Sequence, residues 1–399
     1  MTLADIPTRP TGAAYAELVE RFQPVFDRIA EGAVERESGR ILALDAVELL
    51  RAAGFGTLRV PVEHGGLGAG LGDVFRLLIG LGEADSNLPQ LLRGHLAFLE
   101  GRRLAADPRL VSRWYPQIID GTIFGNAQAE RGPSSDTSTT VTAEGDGFRL
   151  SGTKYYSTGT LYADRIWATA KLGDDHVGVV VDARAEGVER IDDWDGFGQR
   201  LTASGTTVFR DVQVAAEDLV TFDRSDPRAH TFITIFYQLI LLATLAGIAR
   251  AAVRDGVAFV RGRTRTFGVP GQTEPTADPL VQSLLGRVSS SAFVAESVVG
   301  SLADDLERVR SADADDDDWA ALQIRVYQAQ QVLVDLVLDV TSRVFEVGGA
   351  SALSEERRLD RHWRNARTVA SHNPAIRRAQ TIGEYLLLGV TPAQKDARS

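Results

Sequence analysis

The chain has 399 residues, 44% of them hydrophobic, enough for a sizeable core divided into two or three structural units. Its 43 basic and 54 acidic side chains leave a formal charge of −11, which excludes the concentrated basic face of a nucleic-acid groove. There is no cysteine, so disulfides, thiolate nucleophiles, iron–sulfur ligation and Cys-based zinc sites are excluded too.

The first ten residues, MTLADIPTRP, have neither a basic region nor an apolar run, and no secretory signal is expected there. From residue 13 to about 120, AELVERFQPVFDRIAE, LDAVELLRAAGF and DVFRLLIGLGEA repeat apolar residues at i, i+3, i+4 and i+7, the spacing of amphipathic helices. Pro61–Gly72 between them is glycine-rich, but no G-x-G-x-x-G register fits it and no lone strand precedes it. A tight loop is expected rather than a dinucleotide cradle. From about Thr122 the pattern turns to short β-type runs. TTVTAEGDGFRLSG reads as a hairpin turning at Gly145–Gly147, and HVGVVVD and SGTTVFRDVQV extend the β character to about Val220. In Gly152–Asp164 (GTKYYSTGTLYAD), strand alternation would send Tyr156 and Thr158 to one face and Tyr155 and Ser157 to the other.

After Asp226-Pro227 the helical period returns over Phe232–Arg263, Leu280–Arg310 and Trp319–Val347, with the run Asp313–Asp318 read as a solvated turn. Thr231–Ala249 carries no charge and approaches the roughly 20 residues that span a bilayer. Thr231, Thr234, Tyr237, Gln238 and Thr244 within it suit a helix buried in a bundle, so a soluble, cytoplasmic protein without a membrane partner is expected. The order of periods predicts an α+β multidomain chain, with a helical unit at 1–121, a β unit at 122–225 and a helical bundle at 226–399.

No P-loop, H-E-x-x-H or G-x-S-x-G occurs, and no metal site is expected. Among six histidines, His176 reads as surface, His64 as a loop residue, and His230 and His362 as solvated beside charged neighbours. His95 lies mid-helix among apolar residues, which suits either a core histidine or a site residue. His372 precedes Asn-Pro, which should push it out of helix and let its side chain project from a turn. Phe98, Leu161 and Tyr237 suggest an apolar pocket.

Several stretches then fall into one order. Pro61–Gly68, Phe124–Asp136 (FGNAQAERGPSSD), Gly152–Gly159, Arg263–Gly268 (RTRTFG) and Glu346–Ser351 (EVGGAS) together resemble the acyl-CoA dehydrogenase superfamily over nearly the whole chain. The resemblance implies an N-terminal α-helical domain, a middle β-barrel-like domain and a C-terminal four-helix bundle, assembled as a homotetramer with flavin at subunit interfaces. Two departures stand out. Ala129 replaces the Thr of the flavin loop. His372 and Asn373 stand where the family places its proton-abstracting Glu. RGHLAFLE (Arg93–Glu100), YSTGTLYAD and the tail SHNPAIRRAQTIGEYLLLG resemble instead the reduced-flavin-dependent two-component monooxygenases, the branch typified by dibenzothiophene oxidation.

That branch implies FMNH2, with FAD as the alternative cofactor, delivered by a separate NAD(P)H-dependent flavin reductase. O2 adds at flavin C4a, and one oxygen passes to a small apolar aromatic, organosulfur or nitrogen substrate. By the same resemblance His95, Ser157 and His372 are catalytic, the histidines as near-neutral imidazoles exchanging the peroxide proton. Ser157 lies near flavin N5, with Thr158, Asn126 and Ser135 as polar contacts and Tyr156 against the ring. Arg265 or Arg263 reaches the phosphate, that of the adjacent subunit's flavin. The rival readings are an FAD-dependent acyl-CoA dehydrogenase or oxidase, and a non-catalytic ligand- or partner-binding protein on the same scaffold.

Overall fold

The computed structural model describes residues 13–131, 137–221, 226–266, 268, 274–312 and 314–396. The N-terminal periodic segments form α1 (Ala13–Glu31), α2 (Ala33–Gly39), α3 (Leu44–Ala52), α4 (Leu71–Ala84), α5 (Asn87–Leu104) and α6 (Tyr115–Ile119). The β-type runs form β1 (Phe124–Ala127), β2 (Thr140–Glu144), β3 (Gly147–Lys154), β4 (Arg165–Leu172), β5 (Asp175–Asp182), β6 (Val188–Ile191), β7 (Thr206–Ala215) and β8 (Leu219–Thr221). The long C-terminal segments form α7 (Pro227–Arg261), α8 (Pro279–Ser311), α9 (Asp316–Arg343), α10 (Asp360–Ser371), α11 (Ala375–Leu388) and α12 (Pro392–Asp396).

The sheet runs β6-β7-β3-β2-β4-β5-β8, and β1 and β2 share one edge of β4, both parallel to it. The hairpin is as predicted but tighter: Glu144 pairs with Gly147, and Gly145 (φ +56°) supplies the left-handed residue of a two-residue turn. Among the described residues no pairing joins β6 to β8, so the barrel-like unit is an open sheet. Alternate residues such as Val141, Leu150, Ile166, Ala168, Val179, Phe209 and Val212 fill one face. The opposite face of β4 and β5 brings Trp167 and Val180 against Phe98 of α5, Trp114 and Phe124. Phe98 stacks on Phe124 at 4.2 Å and is fully buried. It belongs to this aromatic core.

The helix starts follow from local chemistry. Asp226 accepts from Arg228 N–H with Pro227 at the first helical position of α7, and Asp278 caps α8 in the same way. The acidic run is not a simple turn. Asp315 and Asp318 form a reciprocal capping box, and Asp316–Asp318 occupy the first turn of α9, where the helix dipole favours carboxylates. α7 is long and apolar enough to cross a bilayer, but 83% of its apolar window is buried within the protein. It is the axis of a continuous apolar cluster running from Phe22 and Phe75 through Leu239 and Leu242 to Val299 and Leu333. The N- and C-terminal helices therefore share one core, and the sheet packs beside it.

Candidate active site

Where α5 meets the sheet, two glycines let backbones touch. A Cβ on Gly94 would lie 2.6 Å from Asn126 Cβ, and one on Gly159 (φ +82°) would lie 2.7 Å from the Leu91 carbonyl. α5 thus rests directly on β1 and on the segment after β3. That segment is not the alternating strand predicted for it. β3 ends at Lys154, and Tyr156 sits in the left-handed region at φ +54°. The reversal leaves Tyr156 half exposed and buries both Ser157 and Thr158. The Tyr156 ring lies beneath the Arg131 guanidinium at 4.8 Å and edge-on to Trp194 at 6.2 Å.

The buried turn is pinned by its backbone. Ser157 N–H donates to Gly205 O (2.9 Å), Gly159 N–H to Thr202 O (2.9 Å) and Asn126 N–H to Thr158 O (3.0 Å). A short chain of hydroxyls runs behind it, from Thr158 Oγ1 to Ser204 Oγ (2.9 Å) and on to Thr202 Oγ1 (2.8 Å). By contrast, Ser157 Oγ and Asn126 Oδ1 are buried with no partner, as is Gln90 Oε1 one turn before Arg93 on α5. An unmet buried polar atom costs about 1–3 kcal/mol. These atoms gather at the junction of α5, β1 and this turn, where the chain leaves hydrogen-bonding capacity unused.

The helical wall of the junction is built by Arg93 and His372. Arg93 Nη2 donates to His372 Nε2 (2.8 Å), and its guanidinium lies over the Tyr237 ring at 5.0 Å. With Nε2 accepting, His372 carries its proton on Nδ1, which points to Asn373 Oδ1 (3.3 Å). Asn373 Nδ2 in turn donates to Gln238 Oε1 (2.8 Å). His372 is not the near-neutral imidazole expected. The loss of water on its inward side, and then the Arg93 charge, push its pKa well below 6.5. Much of the residue remains exposed, and the inward-facing Nε2 edge is the constrained one. The helix break also falls one residue later than predicted. His372 keeps helical dihedrals (φ −60°, ψ −46°) as the C-cap of α10, and the restriction imposed by Pro374 acts on Asn373.

His95 does not face this junction as a free acid or base. Its Nε2–H donates to Gly56 O (3.0 Å), and its Nδ1 accepts from Phe124 N–H (3.3 Å). Both ring nitrogens serve the main chain, the residue is 1% exposed, and burial lowers its pKa. Through these two bonds it ties α5 to β1 and to the segment after α3. His362, expected to be solvated, is buried with Nε2 2.9 Å from Asp255, which also pairs with Arg361. Burial first, then Arg361, push its pKa down to about 4.

Ser135 lies outside the described residues. Arg263 and Arg265 lie past the C-terminal end of α7, whereas Tyr237 marks the junction near its start. At about 1.5 Å per residue the separation is roughly 40 Å, so one chain cannot bring either arginine to Ser157. Arg263 donates to Val347 O (2.9 Å), and Arg265 is exposed. A cavity of about 970 Å³ lies between α1, α4, α7 and α8 and contains none of the predicted residues. Sequence reasoning did not single out Gln90, Arg93, Thr202 or Ser204. The available signal was an arginine inside the apolar run Leu91–Leu99.

A mid-chain sheet packed beside one core shared by the N- and C-terminal helices is the arrangement of an acyl-CoA dehydrogenase-like fold. The residues at the junction fit a flavin, because Tyr156 offers a ring face and Ser157 and Asn126 offer polar atoms that nothing else satisfies. Comparison with known proteins agrees. Residues 239–375 match the family model "Acyl-CoA dehydrogenase, C-terminal domain", a span that opens in α7 and closes just after His372. The chain is 27% identical to dibenzothiophene monooxygenase of Mycolicibacterium goodii, with 97% of each chain covered. It is also 27% identical to the "Probable FMNH2-dependent monooxygenase SfnC" of Pseudomonas putida, again over 97% of each. FMN-bound TdsC from Paenibacillus sp. A11-2 superposes with a TM-score of 0.87 at 27% identity, covering 94% of this chain and 98% of that one. The chain is thus similar to the acyl-CoA dehydrogenase C-terminal domain over residues 239–375, and over nearly its whole length to flavin-dependent monooxygenases.

Proposed function

We propose that this protein is an FMNH2-dependent monooxygenase that inserts one oxygen atom of O2 into a small organic substrate. One observation carries the reading. Arg93 of α5 pairs with the imidazole of His372, and among the described residues no carboxylate pairs with either member. An acyl-CoA dehydrogenase needs a base there to remove a proton, and a neutral imidazole held by a guanidinium is a poor one. Reduced FMN, when bound, supplies the electrons that let one oxygen enter substrate while the other leaves as water. The chain's own residues orient and shield. Ser157 Oγ can donate or accept, Asn126 Oδ1 accepts, and Tyr156 covers a ring face. His372 keeps a single N–H, on Nδ1, and the burial of the turn excludes water that would divert oxygen to hydrogen peroxide.

In this reading the electrons come from a separate NAD(P)H-dependent flavin reductase, in the cytoplasm, in keeping with the absence of a nicotinamide motif from the sequence. The assembly would be a homotetramer in which Arg265 of one subunit reaches the flavin phosphate of another. Exposed apolar side chains support it: Leu280 and Phe293 on α8, Val332 on α9, and Ile376 and Leu386–Leu388 on α11. The test couples purified protein to an FMN reductase under 18O2 and scans candidate substrates by mass spectrometry. A product carrying one 18O, with little peroxide, is expected. Tightly co-purifying FAD that an acyl-CoA bleaches without reductase would replace this reading with the dehydrogenase one.

A further inference from the structure

Buried cations in this protein follow a rule, and one residue breaks it. The buried arginines among the described residues are Arg36, Arg59, Arg93, Arg102 and Arg361. Four have a carboxylate: Arg36 with Asp85 (3.1 Å), Arg59 with Glu100 (2.7 Å), Arg102 with Asp107 (3.6 Å) and Arg361 with Asp255. The buried lysine, Lys154, pairs with Glu130 at 2.5 Å. Arg93, 7% exposed, has none. Its partners are neutral, namely the His372 imidazole and the face of Tyr237. A guanidinium stays charged even when burial lowers its pKa, and burying it without a counter-ion costs several kcal/mol.

From this geometry we infer that Arg93 receives an anionic group of the substrate. The molecule oxidised is then a small carboxylate, sulfinate or phenolate with an apolar body, rather than a neutral heterocycle. The inference rests on the monooxygenase reading for the chemistry that follows binding, though not for binding itself. Nε and Nη1 of Arg93 have no acceptor among the described residues. Neither is among the fully enclosed unpaired atoms, so both keep some contact with solvent. The remaining N–H groups of this guanidinium can each donate to an oxygen of a carboxylate or sulfinate. Tyr237 supplies apolar surface beneath the guanidinium. Tyr237 and Arg93 are the titratable groups that face His372 and each other there, so the site holds no acid to compete with the ligand.

The experiment measures binding to flavin-free, full-length protein by calorimetry at neutral pH, using matched pairs: benzoate against benzamide, and benzenesulfinate against methyl phenyl sulfoxide. At least one anion should bind about ten-fold or more tighter than its neutral mate. Arg93→Gln should abolish that preference, and Arg93→Lys, which keeps the charge, should restore part of it. Equal binding of both members in every pair, or no binding by any anion, overturns the proposal. So does an Arg93→Gln variant that loses FMN affinity but keeps riboflavin affinity, because the charge would then serve the flavin phosphate. If Arg93→Gln does not fold, the wild-type preference and its weakening by salt decide the matter. A chain that binds the anions yet oxygenates none of them would sink the monooxygenase reading and leave this one standing.

Discussion

At the scale of single residues, the junction depends on which atoms of a side chain are already spoken for. His95 and His372 look alike in sequence, each a rare imidazole in a helical tract. His95 spends both nitrogens on main-chain atoms of Gly56 and Phe124, whereas His372 spends Nε2 on Arg93 and keeps Nδ1–H near the surface. Their substitutions should therefore differ in kind. His95→Ala leaves a buried N–H and a buried C=O unmet and opens a void, and should lower stability by about 2–5 kcal/mol in urea unfolding. Whatever activity the folded fraction retains should then scale with that fraction. A His95→Ala protein of native stability that no longer forms product would restore the catalytic role expected from resemblance. That role could not be read from sequence, because the spacing of His95 places it on α5 but says nothing about what its ring touches. Arg93 was equally legible as a residue and illegible as a charge without a partner.

At the scale of elements, the instructive segment is the one between β1 and β2. Glu130 gathers its far end, accepting from Ser138 N–H and Oγ, from Thr139 N–H and Oγ1, and from buried Lys154 on β3. These donors hold its pKa down to about 2 against the 4.5 of a free side chain, despite the opposing effect of burial. Lys154 does not show the matching upward shift, because its own burial outweighs the pull of Glu130. The sign follows from the carboxylate. A folded pKa below the unfolded one adds stability that is complete above about 4.5 and is lost as pH falls toward 2. The ceiling is about 3 kcal/mol, lowered by the cost of burying Lys154. Glu130→Gln should thus be less stable than wild type in urea at pH 7, and the gap should shrink by pH 3; a gap that persists unchanged would show that ionisation is not what the donors read. The periodicities of this region were legible in sequence, and β2, β3 and their turn appear where predicted. Alternation misled after Lys154, because a left-handed Tyr156 reverses which side chains turn inward and no period encodes a single dihedral. The acidic run before α9 misled for a related reason, since the same aspartates suit a solvated turn or a helix cap.

At the scale of the whole molecule, two facts pull the site beyond one chain. The helical units at the two ends of the sequence share a core around α7, which holds the junction rigidly at one end of that helix. The arginines resembling phosphate ligands sit past its other end, roughly 40 Å away. A linear sequence shows both sets of residues but not the rod that separates them. If one site takes Asn126 from one copy and Arg265 from another, two defective chains can repair each other. Asn126→Ala and Arg265→Ala homomers should each bind FMN weakly. Co-expressed under separate tags and purified through both, mixed assemblies should regain about one quarter of full-affinity sites, the share in which both residues come from intact positions. Fluorescence titration with FMN would count them. Mixed assemblies that bind no better than either parent would place both residues in sites built within a single chain, and the rigid length of α7 would then require a different ligand for Arg265.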